Sequence, residues 1–216
     1  MHAKPLTWDI TLVGHWNRAI LVPAGIGKRL FGLTDPKMLE IEVPLDGIEP
    51  YRVTYQDVSV RVYSTRLIID ARMPEWGILS RALEVAVRAL RDLPETPVTA
   101  VGINVRYTVP AGNGELYDAL LTPINSLSDI GLVSARFRIE RGLKWNGGLL
   151  NLSSDMKEDE GQMSLFFNFH KEADDKENHR PLLDWLGQDI QVIKDYVTRI
   201  VTATTGVEIG EEHSDG

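Results

Sequence analysis

Residues 58–94 read VSVRVYSTRLIIDARMPEWGILSRALEVAVRALRDLP. Two periodicities meet in this stretch. Val58, Val60 and Val62 alternate with Ser59, Arg61 and Tyr63, and after a break at Ser64-Thr65 the alternation continues through Leu67, Ile69 and Ala71. Successive side chains of a strand point to opposite faces, so these residues predict two paired strands, each with one apolar face. From Pro74-Glu75 the period changes. Trp76, Leu79, Leu83, Ala86, Val87, Leu90 and Leu93 recur every three or four residues, with Arg81, Glu84, Arg88 and Arg91 on the other side. That spacing predicts an amphipathic helix, which Pro94 and Pro97 stop.

Reading outward toward the N-terminus, Trp8, Ile10, Leu12 and Trp16 alternate with polar residues and predict a strand over residues 7–16, which residues 19–22 extend or pair with. A short helix opened by Pro23 follows through Phe31. Leu39, Ile41 and Val43 alternate with Glu40 and Glu42 as another strand, ended by Pro44 and Gly47.

Toward the C-terminus the same order returns. Val101, Ile103, Val105, Tyr107 and Val109 predict a strand, and residues 110–114 a turn. Leu116, Leu120, Ile124 and Leu127 then share a helix face, with Pro123 as a kink, and Val133, Ala135, Phe137 and Ile139 read as a strand. Residues 143–152 form a less regular strand broken by Gly147-Gly148, and the acidic run 153–161 reads as a solvated loop. Met163, Leu165, Phe167 and Phe169 alternate in a last strand. A final helix starts near Arg180-Pro181, carries Leu182, Leu186, Ile190, Ile193, Val197, Ile200 and Val201 on one face, and ends at Gly206.

The predicted class is α+β. Two long helices cover one face of an antiparallel or mixed sheet as a two-layer sandwich. The chain reads as a pseudo-duplication of βαβββα units, residues 1–95 and 96–206, forming one continuous domain. Residues 207–216 read as a disordered acidic tail.

Composition narrows the function. The 216 residues include no cysteine, which excludes disulfides, thiolate metal sites and cysteine nucleophiles. The N-terminal residues lack the pattern of a signal peptide. No apolar run approaches the ~18 residues of a membrane span, so the expectation is a cytoplasmic protein without membrane contact. The net charge of −8 and a pI near 5.2 speak against nucleic acid as a partner.

No catalytic constellation or cofactor loop stands out. Pro23-Ala24-Gly25-Ile26-Gly27-Lys28 has glycines and a lysine at a helix start, as a phosphate cradle does. A Walker A loop would need Gly and Ser or Thr where Val22 and Arg29 stand. Residues 170–179 hold two histidines and four carboxylates without ordered spacing, so no metal site is assigned. Alternation places Arg61, Arg106, Arg136 and Arg138 on the wet sheet face. With Lys28 they are the candidate residues for an anion or nucleotide. The same alternation places Asp9, Glu40, Glu42, Asp70 and Glu140 on wet faces, where mixed charge keeps an open sheet soluble. Trp145 lies beside Asn146-Gly147-Gly148 and Trp185 falls off the main stripe of the last helix. These two read as half-exposed anchors for a partner chain. The leading expectation is a non-catalytic interaction or assembly protein that self-associates and needs no cofactor. The alternative is an anion- or nucleotide-binding module on the arginine-bearing face.

Overall fold

The computed structural model describes residues 2–45, 48–111, 114–120, 136–157, 161–175 and 178–210. Eleven strands and five α-helices appear in it: β1 (His2–Pro5), β2 (Trp8–Gly14), α1 (Pro23–Arg29), β3 (Glu40–Glu42), β4 (Arg52–Tyr55), β5 (Val58–Val62), β6 (Arg66–Ala71), α2 (Trp76–Asp92), β7 (Val98–Pro110), α3 (Glu115–Leu120), β8 (Arg136–Trp145), β9 (Gly148–Lys157), β10 (Gln162–Glu172), α4 (Arg180–Leu186), α5 (Ile190–Thr205) and β11 (Glu208–Ile209). The class is mixed α+β, as the two periodicities require.

The sheet runs β3-β4-β5-β6-β2-β7-β10-β9-β8. Every neighbouring pair on this path is antiparallel. β1 continues the line of β2 along β7 and takes β11 as a parallel neighbour. From the central β2–β7 pair outward, the strands are β6, β5, β4 and β3 on one side and β10, β9 and β8 on the other.

Register turns sequence alternation into two continuous rows. Ile41, Val53, Val60, Ile69, Ile10, Ile103, Phe169, Leu150 and Leu143 stand opposite one another across nine strands. One position along, Glu40, Thr54, Ser59, Asp70, Asp9, Asn104, Asn168, Asn151 and Gly142 form the matching row on the other face.

Helices pack against the apolar row. Trp76 of α2 lies 4.6 Å from Trp8, which is also 5.7 Å from Tyr107. Trp185 of α4 and Tyr196 of α5 stand edge-on to Trp145 at 5.9 and 6.0 Å. His179, read from sequence as part of a polar loop, is buried. Its ring nitrogens lie 3.2 Å from the Leu90 carbonyl and 2.7 Å from the Thr96 carbonyl, so it ties the entry to α4 onto the end of α2.

Several elements differ from the sequence reading. β1 is an additional strand, and residues 19–22, expected to extend or pair with the first strand, form no strand. β4 is an additional strand. Its single deeply apolar residue, Val53, gives too short a signal for alternation, although Tyr55 and the β-branched Thr54 support it. Gly147 sits in a hairpin turn rather than a broken strand: Asn146 and Gly147 adopt φ of 42° and 68°, the conformation of a two-residue hairpin loop. The strand then runs on through Lys157, because Leu152, Ser154 and Met156 are buried while Asp155 faces Arg136. The final helix is two. It ends at Gly187 and restarts where Asp189 caps α5 by accepting from the Gln191 N–H at 2.9 Å. Glu208 and Ile209, assigned to the tail, form β11; residues 211–216 lie outside the described residues, as do Pro123, Ile124, Leu127, Val133 and Ala135.

Trp8 joins three elements through both rings, and its indole N–H donates to the Arg106 carbonyl at 3.1 Å. Trp8→Ala is expected to cost roughly 3–5 kcal/mol, measured by urea unfolding. A loss under about 1 kcal/mol would show that this junction does not hold the sheet to α2.

Candidate functional site

The four sheet-face arginines do not form one site. Arg61 on β5 and Arg138 on β8 are six strands apart in the sheet order, or roughly 30 Å at about 4.8 Å per strand. Three of the four are held by carboxylates. Arg61 grips Asp70 bidentately, Nε to Oδ2 at 3.1 Å and Nη2 to Oδ1 at 2.9 Å. Arg136 donates to Asp155 at 2.9 Å, and Arg138 pairs with Glu140. The Arg106 guanidinium carbon lies over the Phe166 ring, 4.6 Å from its centre. Lys28 is on the helix side, in a cleft among α1, α2 and the α4–α5 connection.

The two tryptophans are not half-exposed. Trp145 is 7% and Trp185 6% exposed. Phe169, 4.7 Å from Trp145, completes the cluster with Trp185 and Tyr196. The stripe of a single long helix leaves Trp185 outside; the break at Gly187 rotates α4 separately and turns the ring inward.

Sequence reading missed the centre of the wet face. Asn151 Nδ2 donates to Asn168 Oδ1 at 3.3 Å and lies 3.2 Å from His170 Nδ1. Asn168 Nδ2 donates to Asn104 Oδ1 at 2.8 Å, and Asn104 Nδ2 to Asp9 Oδ1 at 2.7 Å. Thr11 Oγ1 adds a donor to the same carboxylate at 2.9 Å. The chain of donors therefore ends on Asp9. Burial pushes the Asp9 carboxyl above its ordinary value; the hydrogen bonds from Asn104 and Thr11 oppose this, Asp70 adds to it and Arg106 opposes it. Each amide in this row spends its donor or its oxygen on a neighbour, so the row reads as a cross-strand structural ladder. Its signal in the sequence is a single Asn on each of β7, β9 and β10, which only register aligns.

Exposed aliphatic side chains gather at one end of the sheet. Along residues 38–48, Ile41 is half exposed, and Met38, Val43, Leu45 and Ile48 are about two-thirds exposed or more. β3 lies inside this stretch and ends the sheet. At the opposite end, β8 presents Arg136, Arg138, Arg141 and Lys144 alongside Glu140, all exposed. Beside β8 a groove of about 360 Å³ runs between this strand and α5, with Leu143, Trp145, Leu150, Tyr196, Ile200 and Ala203 among its walls. Among the described residues neither terminal strand has a partner on its outer side. No described helix is long and apolar enough to cross a membrane.

Comparison with protein-family models, with curated proteins and with solved structures finds no match to this chain.

The raised Asp9 value has a measurable consequence. The folded state holds this proton more tightly than the unfolded chain, whose carboxyl titrates near the ordinary 3.8. The Asp9 contribution to stability is therefore full below that value and falls as pH rises through the folded-state value. Asp9→Asn removes this slope. The stability of wild type minus that of Asp9→Asn, from urea titrations between about pH 3 and pH 7, should fall with pH and then level; a difference constant across the range overturns the assignment.

Proposed function

We propose that this chain is a non-catalytic assembly protein whose copies join head to tail, the β3 end of one sheet against the β8 end of the next. The observation that carries this reading is the set of exposed aliphatic side chains in and around the terminal strand β3, Met38, Ile41, Val43, Leu45 and Ile48. Contiguous exposed apolar surface of this kind marks interaction sites, and a terminal strand without an outer neighbour is a template for pairing.

Three features favour a second copy as the occupant. The β3 edge carries Glu40 and Glu42, while β8 carries three arginines and a lysine against one glutamate, so the two ends are complementary in charge. Glu40 and Glu42 are held by Arg72 and Arg52 in exposed ion pairs, each worth about 0–1 kcal/mol and easily exchanged. The apolar groove beside β8 offers a cavity for side chains such as Val43 and Leu45, and Trp145 forms part of its wall. A contact between two different surfaces closes into a ring or continues as a filament.

The strand order is also consistent with a tandem of two βαβββα units in a two-layer sandwich, with β2-α1-β4-β5-β6-α2 matched by β7-α3-β8-β9-β10-α4-α5 and β3 an additional strand outside the first unit. On this reading β8 corresponds to β4, and β3 extends the first unit's edge beyond its counterpart. A cytoplasmic setting is part of the proposal and rests on the cysteine-free, acidic composition.

Sedimentation velocity tests it. Wild type should show concentration-dependent association. Val43→Asp with Leu45→Asp should block one end, and Leu143→Asp the other, each giving monomers. An equimolar mixture of the two variant proteins should form a dimer, because each retains one intact end. Wild type that stays monomeric at roughly 100 μM, or a mixture that stays monomeric while wild type associates, would sink the head-to-tail reading.

A further inference from the structure

A cleft on the helix side of the molecule has a volume of about 670 Å³, within the range of small-molecule sites. α1 supplies Lys28; α2 supplies Glu84, Arg88, Arg91 and Asp92; the α4–α5 connection supplies Gln188 and Asp189. Leu83 and Leu186 are buried in its floor.

Charge in this cleft is organised differently from the sheet face. Arg61, Arg136 and Arg138 each have a carboxylate in contact. Among the described residues Lys28, Arg88 and Arg91 have none within ion-pair distance, although they share the cleft with three acids. The Arg88 guanidinium lies close against Gly32, where a Cβ would stand 2.3 Å from Nη1. Gln188 borders the cleft, and its Oε1 accepts from Asn146 Nδ2 at 2.8 Å, which ties the α4–α5 connection to the β8–β9 turn.

We propose that this cleft binds a phosphorylated small molecule of the nucleotide or sugar-phosphate class. Lys28, Arg88 and Arg91 meet the phosphate as charge-assisted donors. Glu84 and Asp92 accept from hydroxyl or amino groups, so that a ligand carrying both an anion and donors matches the cleft better than bare phosphate. The site is on the opposite side of the sheet from the asparagine ladder and is independent of the assembly contacts at β3 and β8.

Isothermal titration with AMP, glucose 6-phosphate and inorganic phosphate tests this. The measurement is made on wild type and repeated in the Val43→Asp, Leu45→Asp background, so that assembly does not influence the result. At least one of the two organic phosphates should bind, and more tightly than inorganic phosphate. Arg88→Ala with Arg91→Ala should weaken binding by roughly tenfold or more, while Arg106→Ala on the far face leaves it unchanged. If the double variant does not fold by circular dichroism, Lys28→Ala, at an exposed position, provides the readout with a smaller loss. Absence of heat for both organic phosphates at roughly millimolar concentration, or binding that these cleft variants leave unchanged, would overturn the proposal.

Discussion

β2 and β7 meet in an antiparallel ladder that places Ile10 opposite Ile103 and Asp9 opposite Asn104. That register decides which side chains the whole sheet sends to the helices. Burying an Ile or Phe side chain is worth roughly 1.5–3 kcal/mol, whereas a net hydrogen bond in the ladder is worth about 0.5–1.5 kcal/mol. A one-residue slip of the central pair would drive Asp9 and Asn104 toward Trp76 and expose Ile10 and Ile103. The apolar row therefore fixes the register, and the polar row follows from it. Because β6 and β10 pair with β2 and β7, the same choice propagates to β4 on one side and β8 on the other.

A consequence is that the open face uses up most of its own chemistry. Asn151, Asn168 and Asn104 pass hydrogen bonds toward Asp9, Arg61 is occupied by Asp70, and Arg136 and Arg138 by Asp155 and Glu140. Thr54 and Ser59 are only 1% exposed although they stand in the polar row. The ladder and the arginine–carboxylate pairs satisfy one another, whereas at the β4 end Thr54 Oγ1 and Arg52 Nε are buried without a hydrogen-bond partner. The features left over are elsewhere: aliphatic side chains at the β3 end, an apolar groove at the β8 end, and unpaired cations in the helix-side cleft.

These leftovers share a physical origin in the breaks of the chain. The restart at Asp189 separates α4 from α5 and positions Gln188 and the first turn of α5 at the edge of the cleft. The same break turns Trp185 inward against Trp145. With a continuous helix, the cleft and the tryptophan cluster would both be lost. β3 is three residues long, so the stretch around it cannot bury its own aliphatic side chains against the helices.

The sequence by itself determined the α+β class, the strands at Val58–Val62 and Arg66–Ala71, the helix from Trp76 and the burial of Trp8, Trp16 and Trp76, because each rests on a local period of two or of 3.6 residues. The break at Gly187 and the hairpin at Asn146-Gly147 were written in turn and cap residues, yet they compete with longer apolar patterns that run through them. Local spacing does not record which strand lies beside which. It showed Arg61, Arg106, Arg136 and Arg138 on a wet face, but not that six strands separate the first from the last or that carboxylates hold three of them. It gave no hint that three isolated asparagines align. Lys28, Arg88, Arg91 and Gln188 come from three separate parts of the chain, and only the packing of α1, α2 and the α4–α5 connection brings them to one cleft. Alternation depends on neighbours along the chain; register and helix packing depend on contacts across it, and those decided where this protein keeps its unused charge and its unused apolar surface.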